Sequence, residues 1–334
     1  MKKISIILPV YNTVSYIDRM MECIVSQTYT NLEIILVDDG SIDGSSKRCD
    51  EWKEKDTRIS VIHTLNFGAS EARNTGLTYA TGDAVIFFDS DDYIENNMLE
   101  EMASHLFERD VEAVFCGYSN EFPNKICFCC PKEGILTGNE VLKSVFIENG
   151  VMTAVWNKLF LKKALINRNS KKYYRFPIGI YIGEDFSWLA DVLPNIRKAY
   201  CIEQPYYHWV RRHDSATGIG DTKRIDEKAL TEIDAMNNVV DSASKVDNDI
   251  HYLAFKCLFE LLWEKQKIAD RENNLLAGAK IDGAFKAAIK APLARGWKDS
   301  LKVWREKIIL SMKCGGVPRG LILFVENLSF KRNR

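Results

Sequence analysis

The stretch VIFFDSDDYI at residues 85–94 sets three carboxylates, Asp89, Asp91 and Asp92, within four positions behind an apolar run. Like charges so close repel one another, so water or a cation must offset them. In an extended segment Asp89 and Asp91 project to the same side, because strand side chains alternate. Two carboxylates on one side chelate Mg²⁺ or Mn²⁺, hard cations that take oxygen ligands and keep their other positions for water or phosphate. The plainer alternative is a polar strand end with a helix cap behind it, and for Asp92 the two readings stay even. A second acidic group, Asp38 and Asp39 before Gly40 and Ser41, ends the apolar run LEIILVD, and a third, Glu184 and Asp185, lies in GEDFSW.

These groups need elements to position them. Apolar runs at 4–10, 32–38, 58–64, 83–89 and 111–117 read as strands buried on both faces. Helical patterns lie between them. One carries Ile17, Met20, Met21 and Ile24 on one side, with Ser15 and Asp18 as a capping box. Another, at 68–80, lines up Ala69, Ala72, Gly76 and Ala80, a face small enough for close packing on a sheet. Strand and helix in alternation predict a mostly parallel α/β sheet. Ligands of such sheets bind outside the carboxyl ends of the strands. Asp38–Ser41, Asp89–Asp92 and the helix start that holds Arg73 all fall there.

Past residue 120 the rhythm breaks into a hairpin at EFPNKICFCCPKEG, a helix capped near Thr137, and VWNKLF at 155–160. After residue 220 the pattern is helical, and HYLAFKCLFELLWEKQK is apolar on most sides, as for a helix buried between others. With 334 residues and 46% hydrophobic content the chain can bury one large domain and a smaller one. A net charge of −1 argues against a nucleic-acid partner. No run of 18 apolar residues suggests a membrane span, and MKKISIILPVYN reads as a strand and not as a leader. The nine cysteines are then expected as reduced thiols. Cys127, Cys129 and Cys130 lack the second ligand pair of a zinc site and read as strand thiols.

SIILPVYN, ILVDDGS, NFGASEARNTGL and FFDSDD, in that order, resemble the family 2 glycosyltransferases of GT-A fold. VWNKLF, GEDFSW and YYHWVRRHDSAT resemble later motifs of the bacterial polysaccharide branch, which serves capsule and O-antigen synthesis. The similarity covers roughly residues 3–218 and not the last third. It implies a Rossmann-like, mostly parallel central sheet flanked by helices over residues 1–218. Residues 219–334 would be a helical C-terminal extension acting as a lid, a homodimer surface or a membrane-surface element.

The resemblance also implies roles. Pro9, Tyr11 and Asn12 would begin the nucleotide pocket, Tyr11 stacking on the base and Asp39 accepting a uracil N–H from a UDP-sugar. Arg73 would reach the nucleotide or its phosphates. Asp89, Ser90 and Asp91 would be the DxD motif, Asp91 the more direct ligand of Mn²⁺ or Mg²⁺ and Asp89 often serving the ribose. Asp185 would be the catalytic base. His208, Arg211 and Arg212 would belong to a segment closing over the diphosphate, with Ser215 near its end, and His208 is a metal ligand in some relatives. From the residues themselves, His208 reads equally as part of a packed aromatic patch with Tyr206, Tyr207 and Trp209. Trp156 and Lys158 would support the acceptor side, or be a buried indole beside a surface lysine.

These enzymes invert the anomeric centre. An acceptor hydroxyl, on a glycan or a lipid carrier, displaces the nucleoside diphosphate. Charge building on the diphosphate calls for a divalent cation or arginine, and the hydroxyl proton calls for a base. Adjacent side chains diverge, so one of Glu184 and Asp185 should face the donor; the family match selects Asp185. Two rivals stand beside this reading: a haloacid-dehalogenase-like phosphatase, which also ends an apolar strand in DxD, and a scaffold that binds nucleotide-sugar without turnover. No G-x-G-x-x-G follows the first strand, which disfavours a dinucleotide dehydrogenase. The last third, with Trp297, Trp304, ten Lys/Arg against three Asp/Glu from Pro292 on, and a final KRNR, suggests a cytoplasmic protein resting on the anionic inner face of the plasma membrane.

Overall fold

The run ISIILPV forms the central strand β1 (Ile4–Val10), with Ile4, Ile6, Ile7, Leu8 and Val10 fully buried. A computed structural model of the chain describes residues 1–147, 151–212 and 225–290. Contacts divide the chain into two compact units, Met1–Ile219 and Gly220–Arg334.

In the first unit, chain order gives α1 (Ile17–Val25), β2 (Leu32–Asp38), α2 (Ser45–Lys55), β3 (Ile59–His63), α3 (Ala69–Tyr79), β4 (Ala84–Phe87), β5 (Tyr93–Ile94) and α4 (Met98–Glu108). There follow β6 (Ala113–Phe122), β7 (Lys125–Cys129), β8 (Gly134–Thr137), α5 (Asn139–Lys143), β9 (Lys158–Leu161), α6 (Glu184–Val192) and β10 (Lys198–Val210). The sheet order is β3-β2-β1-β4-β9-β6-β10-β5, with β7 paired to β6 and β8 to β10. The first four strands pair in parallel, β1 between β2 and β4. Strand β9 then enters antiparallel to both β4 and β6, which makes the sheet mixed. The carboxyl ends of β1, β2 and β4 therefore open on one edge.

Strand β10 runs parallel to β6 with register shifts on either side of Pro205, a residue with no N–H to give the ladder. Beyond the shift, Tyr207 and His208 pair with Ile94 and Tyr93 of β5. The bend thus brings the end of β10 beside the loop that carries Asp89–Asp92.

Several sequence expectations need correction here. Strand β4 stops at Phe87, and residues 90–91 form a turn closed by Asp92 N–H to Asp89 O at 3.4 Å. The acidic motif is therefore not the extended segment that alternation assumed. There is no capping box at Ser15: the N-cap of α1 is Tyr16, without a side-chain cap, because Asp18 is bound by Arg48 and Trp52 of α2. The helix expected after Thr137 is one short α segment and a 3₁₀ turn. Cys127, Cys129 and Cys130 are partly buried free thiols in and just after the hairpin strand β7.

In the second unit α8 (Asn248–Arg271) packs between α7 (Glu227–Ser244) and α9 (Leu275–Lys290). Its Phe259 meets Phe285 edge-on at 5.6 Å. Asp226 and Asp247 cap the first two helices, accepting from Ala229 N–H and from Asp249 and Ile250 N–H. No helix among the described residues is long and apolar enough to cross a membrane. Ser215, Trp297, Trp304 and the basic final segment lie outside the described residues.

Helix α3 sits directly on β1 through Gly76. A Cβ built there would lie 2.4 Å from Ile7 Cγ2 and 3.2 Å from its Cγ1, and a β-branched side chain held on both faces has nowhere to turn. Gly76→Val is expected to lower stability by about 1–3 kcal/mol through overpacking. Urea unfolding checks this, and an unchanged midpoint would contradict the close approach.

Candidate active site

Three loops meet at the open edge. At the end of β1, Pro9 is partly buried, and Tyr11 keeps 45% of its surface exposed while its hydroxyl accepts from Asn66 Nδ2 at 3.0 Å. Asn12, with φ +52, gives its N–H to Ser41 Oγ and accepts from Ile42 N–H at 2.9 Å. Gly40, at φ +74, lets the second loop approach the third, where a Cβ would lie 3.0 Å from Asn66 N. Asp39 is buried and accepts from Thr64 Oγ1 at 2.8 Å, Phe67 N–H at 2.8 Å and Gly68 N–H at 2.6 Å. Oδ1 takes two of these bonds and Oδ2 one, so one acceptor position on Oδ2 remains for a ligand N–H. This set of bonds also fixes the start of α3, whose first turns carry Arg73.

Arg73 is the hub of the edge. Its side chain is 5% exposed and holds Asp89 Oδ1 at 2.9 Å, Glu184 Oε1 at 3.0 Å and Asp185 Oδ1 at 3.1 Å. Burial works against its charge, but the carboxylates of Asp185, Asp89 and Glu184 outweigh that and secure it. Glu184 and Asp185 enter through the first turn of α6, after Gly183 at φ +83, where the positive helix end favours acids. Both reach the same guanidinium nitrogen, which corrects the expectation that these neighbours diverge. Asp185 Oδ2 also accepts from Val155 N–H at 3.2 Å. Burial pushes its carboxyl up to about 7, Arg73 pulls the other way, and Glu184 and Asp89 add to the rise.

Asp91 forms an ion pair with Arg212, whose guanidinium also lies 4.1 Å from the centre of the Tyr16 ring. Burial and then the charge of Asp89 raise its carboxyl, and Arg212 opposes them. Ser90 is buried with its hydroxyl 3.0 Å from that of Thr13. Arg19, which the sequence reading missed, donates to the Asp91 carbonyl at 2.8 Å. Asp92 belongs to the framework: Tyr207 O–H donates to it at 2.6 Å and Val210 N–H at 2.8 Å. Burial, then Asp91 and Asp89, push its carboxyl well above the usual range.

Two expected site residues point elsewhere. His208 has Nε2 2.9 Å from Glu95 Oε1, and Nδ1 2.8 Å from Ser119 Oγ and 3.0 Å from Glu121 Oε1. Its ring stacks on Tyr93 at 4.2 Å. Both nitrogens are engaged, so it is not brought to Asp89 and Asp91 as a metal ligand. Arg211 lies over Trp209, 4.0 Å from the ring centre, so of the two arginines Arg212 is the one placed at the acidic turn. Lys158 is fully buried, not a surface lysine.

A divalent cation fits the acidic turn by the chemistry of its donors. Asp89 and Asp91 offer carboxylate oxygens, the charge of Asp89 is close enough to raise the Asp91 carboxyl, and Arg212 already supplies positive charge to Asp91. Among the described residues no three His, Cys, Asp or Glu side chains are grouped so as to hold a metal ion by themselves, so a bound diphosphate and water would have to complete such a site.

Comparisons agree with this architecture. The model of the glycosyl transferase family 2 matches residues 5–125. An uncharacterized glycosyltransferase of Haemophilus influenzae is 31% identical over 214 residues, which cover 63% of this chain and 80% of that one. Glycosyltransferase GlyG of Streptococcus pneumoniae is 42% identical over 118 residues, or 35% of this chain. The match spans 39% of that relative's own length. Among solved structures, S. aureus TarS 1–349 in complex with UDP-GlcNAc superposes with a TM-score of 0.68 at 18% identity, over 87% of this chain and 81% of that one. A likeness at that identity concerns the fold.

Removing the hub cation leaves three clustered carboxylates without it. Arg73→Met is expected to cost about 3–5 kcal/mol at pH 8. The Asp185 carboxyl, already raised by burial, would then lose the cation that lowers it and titrate higher still, so the loss is full above that raised value and shrinks as pH falls toward 5. Urea unfolding at both pH values checks this; a deficit under about 1 kcal/mol at both would contradict the shared cation.

Proposed function

The chain belongs to glycosyl transferase family 2, and from that premise we propose that it moves a sugar from a nucleotide-sugar donor, of the UDP class, to an acceptor hydroxyl with inversion. The observation that carries this reading is the joining of Asp89 of the acidic turn and Asp185 of α6 on one buried guanidinium. It sets a donor-side group and a basic group side by side.

On the donor side, the exposed ring of Tyr11 gives a base a face to stack on, and the open position on Asp39 Oδ2 suits a uracil N–H. Asn12 and Ser90 shape the floor between them through Ser41 and Thr13. Arg212, now on Asp91, would turn to the diphosphate as that anion arrives, since a guanidinium matches phosphate oxygens. Asp91, with Asp89, would hold Mn²⁺ or Mg²⁺, whose charge would stabilise the departing diphosphate.

On the acceptor side, Asp185 would take the hydroxyl proton. Its proton affinity near neutrality suits a base that must be ionised before the step and protonated after it. Arg73, beside Oδ1, keeps the ionised form available, and the Val155 N–H on Oδ2 fixes the orientation of the carboxylate. Glu184 shares the guanidinium and tunes the charge there.

We assign catalysis to residues 1–218, and read residues 219–334 as a helical lid, homodimer or membrane-surface element. A glycan or lipid-linked acceptor in cell-surface polysaccharide synthesis, met at the cytoplasmic face of the membrane, completes the proposal.

A panel of sugar nucleotides with Mn²⁺, read by UDP release, identifies the donor. With it, Asp185→Asn should keep donor binding and lose transfer by roughly 10²–10⁴-fold; normal transfer by that variant would refute the base. For the native chain kcat should fall below pH 7, by roughly tenfold per unit, because protonated Asp185 cannot accept. A flat profile from pH 5 to 8 would count against it. Chelation by EDTA should abolish UDP release, with Mn²⁺ restoring it; activity indifferent to EDTA would rule out the metal.

A further inference from the structure

Lys158 opens β9 with none of its surface exposed to water. Its Nζ donates to Met152 O at 2.6 Å, Ala154 O at 2.6 Å and Asn157 Oδ1 at 2.7 Å. Three acceptors need three N–H bonds, and a neutral amine has two, so the full set of bonds forms only with the ammonium. Burial pulls that ammonium down to about 7. A buried charge is tolerable when every hydrogen finds a partner, as here.

Two of those partners are backbone carbonyls bracketing the residues just before Val155. Val155 gives its N–H to Asp185 Oδ2 at 3.2 Å, and Lys158 returns its own N–H to Val155 O at 3.2 Å. Trp156 stacks on Tyr207 at 4.2 Å and 12°, and Tyr207 O–H holds Asp92. Asn157 Nδ2 donates to Cys116 O at 2.6 Å, tying the segment to β6. One short stretch is thus fastened to the acidic turn on one side and to Asp185 on the other.

We infer that Lys158 is a positioning residue for Asp185: its ammonium clamps the carbonyls of Met152 and Ala154 and so holds the Val155 N–H on that carboxylate. This rests on Asp185 acting as the base. Lys158 touches neither Asp185 nor any atom that reacts. The groups that face Asp185 from the packed elements are Arg73 from α3, Glu184 from its own helix, Asp89 from the turn after β4, and Val155 N–H before β9. Arg73 and the N–H favour the ionised form, while the two carboxylates and burial oppose it. Loss of Lys158 would free the segment and remove one of the favouring pair, together with a nearby positive charge. The carboxyl should then hold its proton to higher pH and lose its fixed orientation.

Lys158→Met keeps the length of the stem and deletes the charge and all three donors. In the full chain labelled with γ-¹³C aspartate, the Asp185 signal is the one that Asp185→Asn removes. Its titration midpoint should move up in Lys158→Met by about 0.5 unit or more, a threefold or greater gain in proton affinity. Asp18, held by Arg48 and Trp52, should not move. Should Lys158→Met not fold, Lys158→Gln keeps two donors without the charge and should shift the midpoint in the same direction. In the sugar-nucleotide assay the folded variant should keep its donor KM and lose kcat at pH 7, with partial recovery at pH 8.5. A midpoint within about 0.2 unit of the native one overturns the inference. The titration needs no donor, so a chain inactive with every sugar nucleotide sinks the functional reading separately.

Discussion

One buried guanidinium sets the terms for the open edge of this sheet. Arg73 lies almost wholly out of water against three carboxylates from two different parts of the chain. A lone charge there would be untenable, and three clustered acids without it would be equally so. The arrangement holds because α3 brings the cation in, the turn after β4 supplies one acid, and the first turn of α6 supplies two. Each of those elements is fixed in turn: α3 by Asp39 at its start and by Gly76 against β1, and α6 by Gly183. The consequence is chemical as well as structural. Asp89 and Asp185 share one counter-ion, so the charge of the one is felt by the other.

The acidic turn follows the same logic at its outer side. Asp91 is paired with Arg212, Asp92 is locked by Tyr207 and Val210, and Asp89 is held by Arg73, so the three adjacent-looking acids have three different partners. Asp91 is held by Arg212, and the divalent cation proposed above would compete with that arginine for it. Exchange between them would move Arg212, at the end of β10, in step with donor arrival.

Much of this was legible in the sequence because the signals are local. Near-continuous apolar runs gave β1 and β2 to the residue, and β3 and β4 to within one or two positions of either end. Three acids behind such a run marked the edge. What escaped depended on contacts distant in sequence. The capping box failed because Asp18 is taken by α2, and the alternation argument failed because the strand ends two residues before its acids. The sequence left His208 between a metal ligand and an aromatic patch, because nothing local shows that Glu95, Glu121 and Ser119 surround a ring stacked on Tyr93. Lys158 read as an acceptor-side support or a surface lysine, because nothing local announces that the carbonyls of Met152 and Ala154 fold back around it. Arg73 drew its role from family resemblance, and no spacing within the chain joins it to Asp185, more than a hundred residues on.

The central claim is that Asp89, Arg73 and Asp185 form one charged unit beside the place where a nucleotide diphosphate binds. A crystal structure of the full chain with UDP and Mn²⁺ tests it most directly. The account predicts uracil on Tyr11, the ion at Asp91 with Arg212 released toward the diphosphate, and Arg73 still bridging Asp89 and Asp185. UDP bound away from that edge, or Arg73 found apart from Asp185, would contradict it.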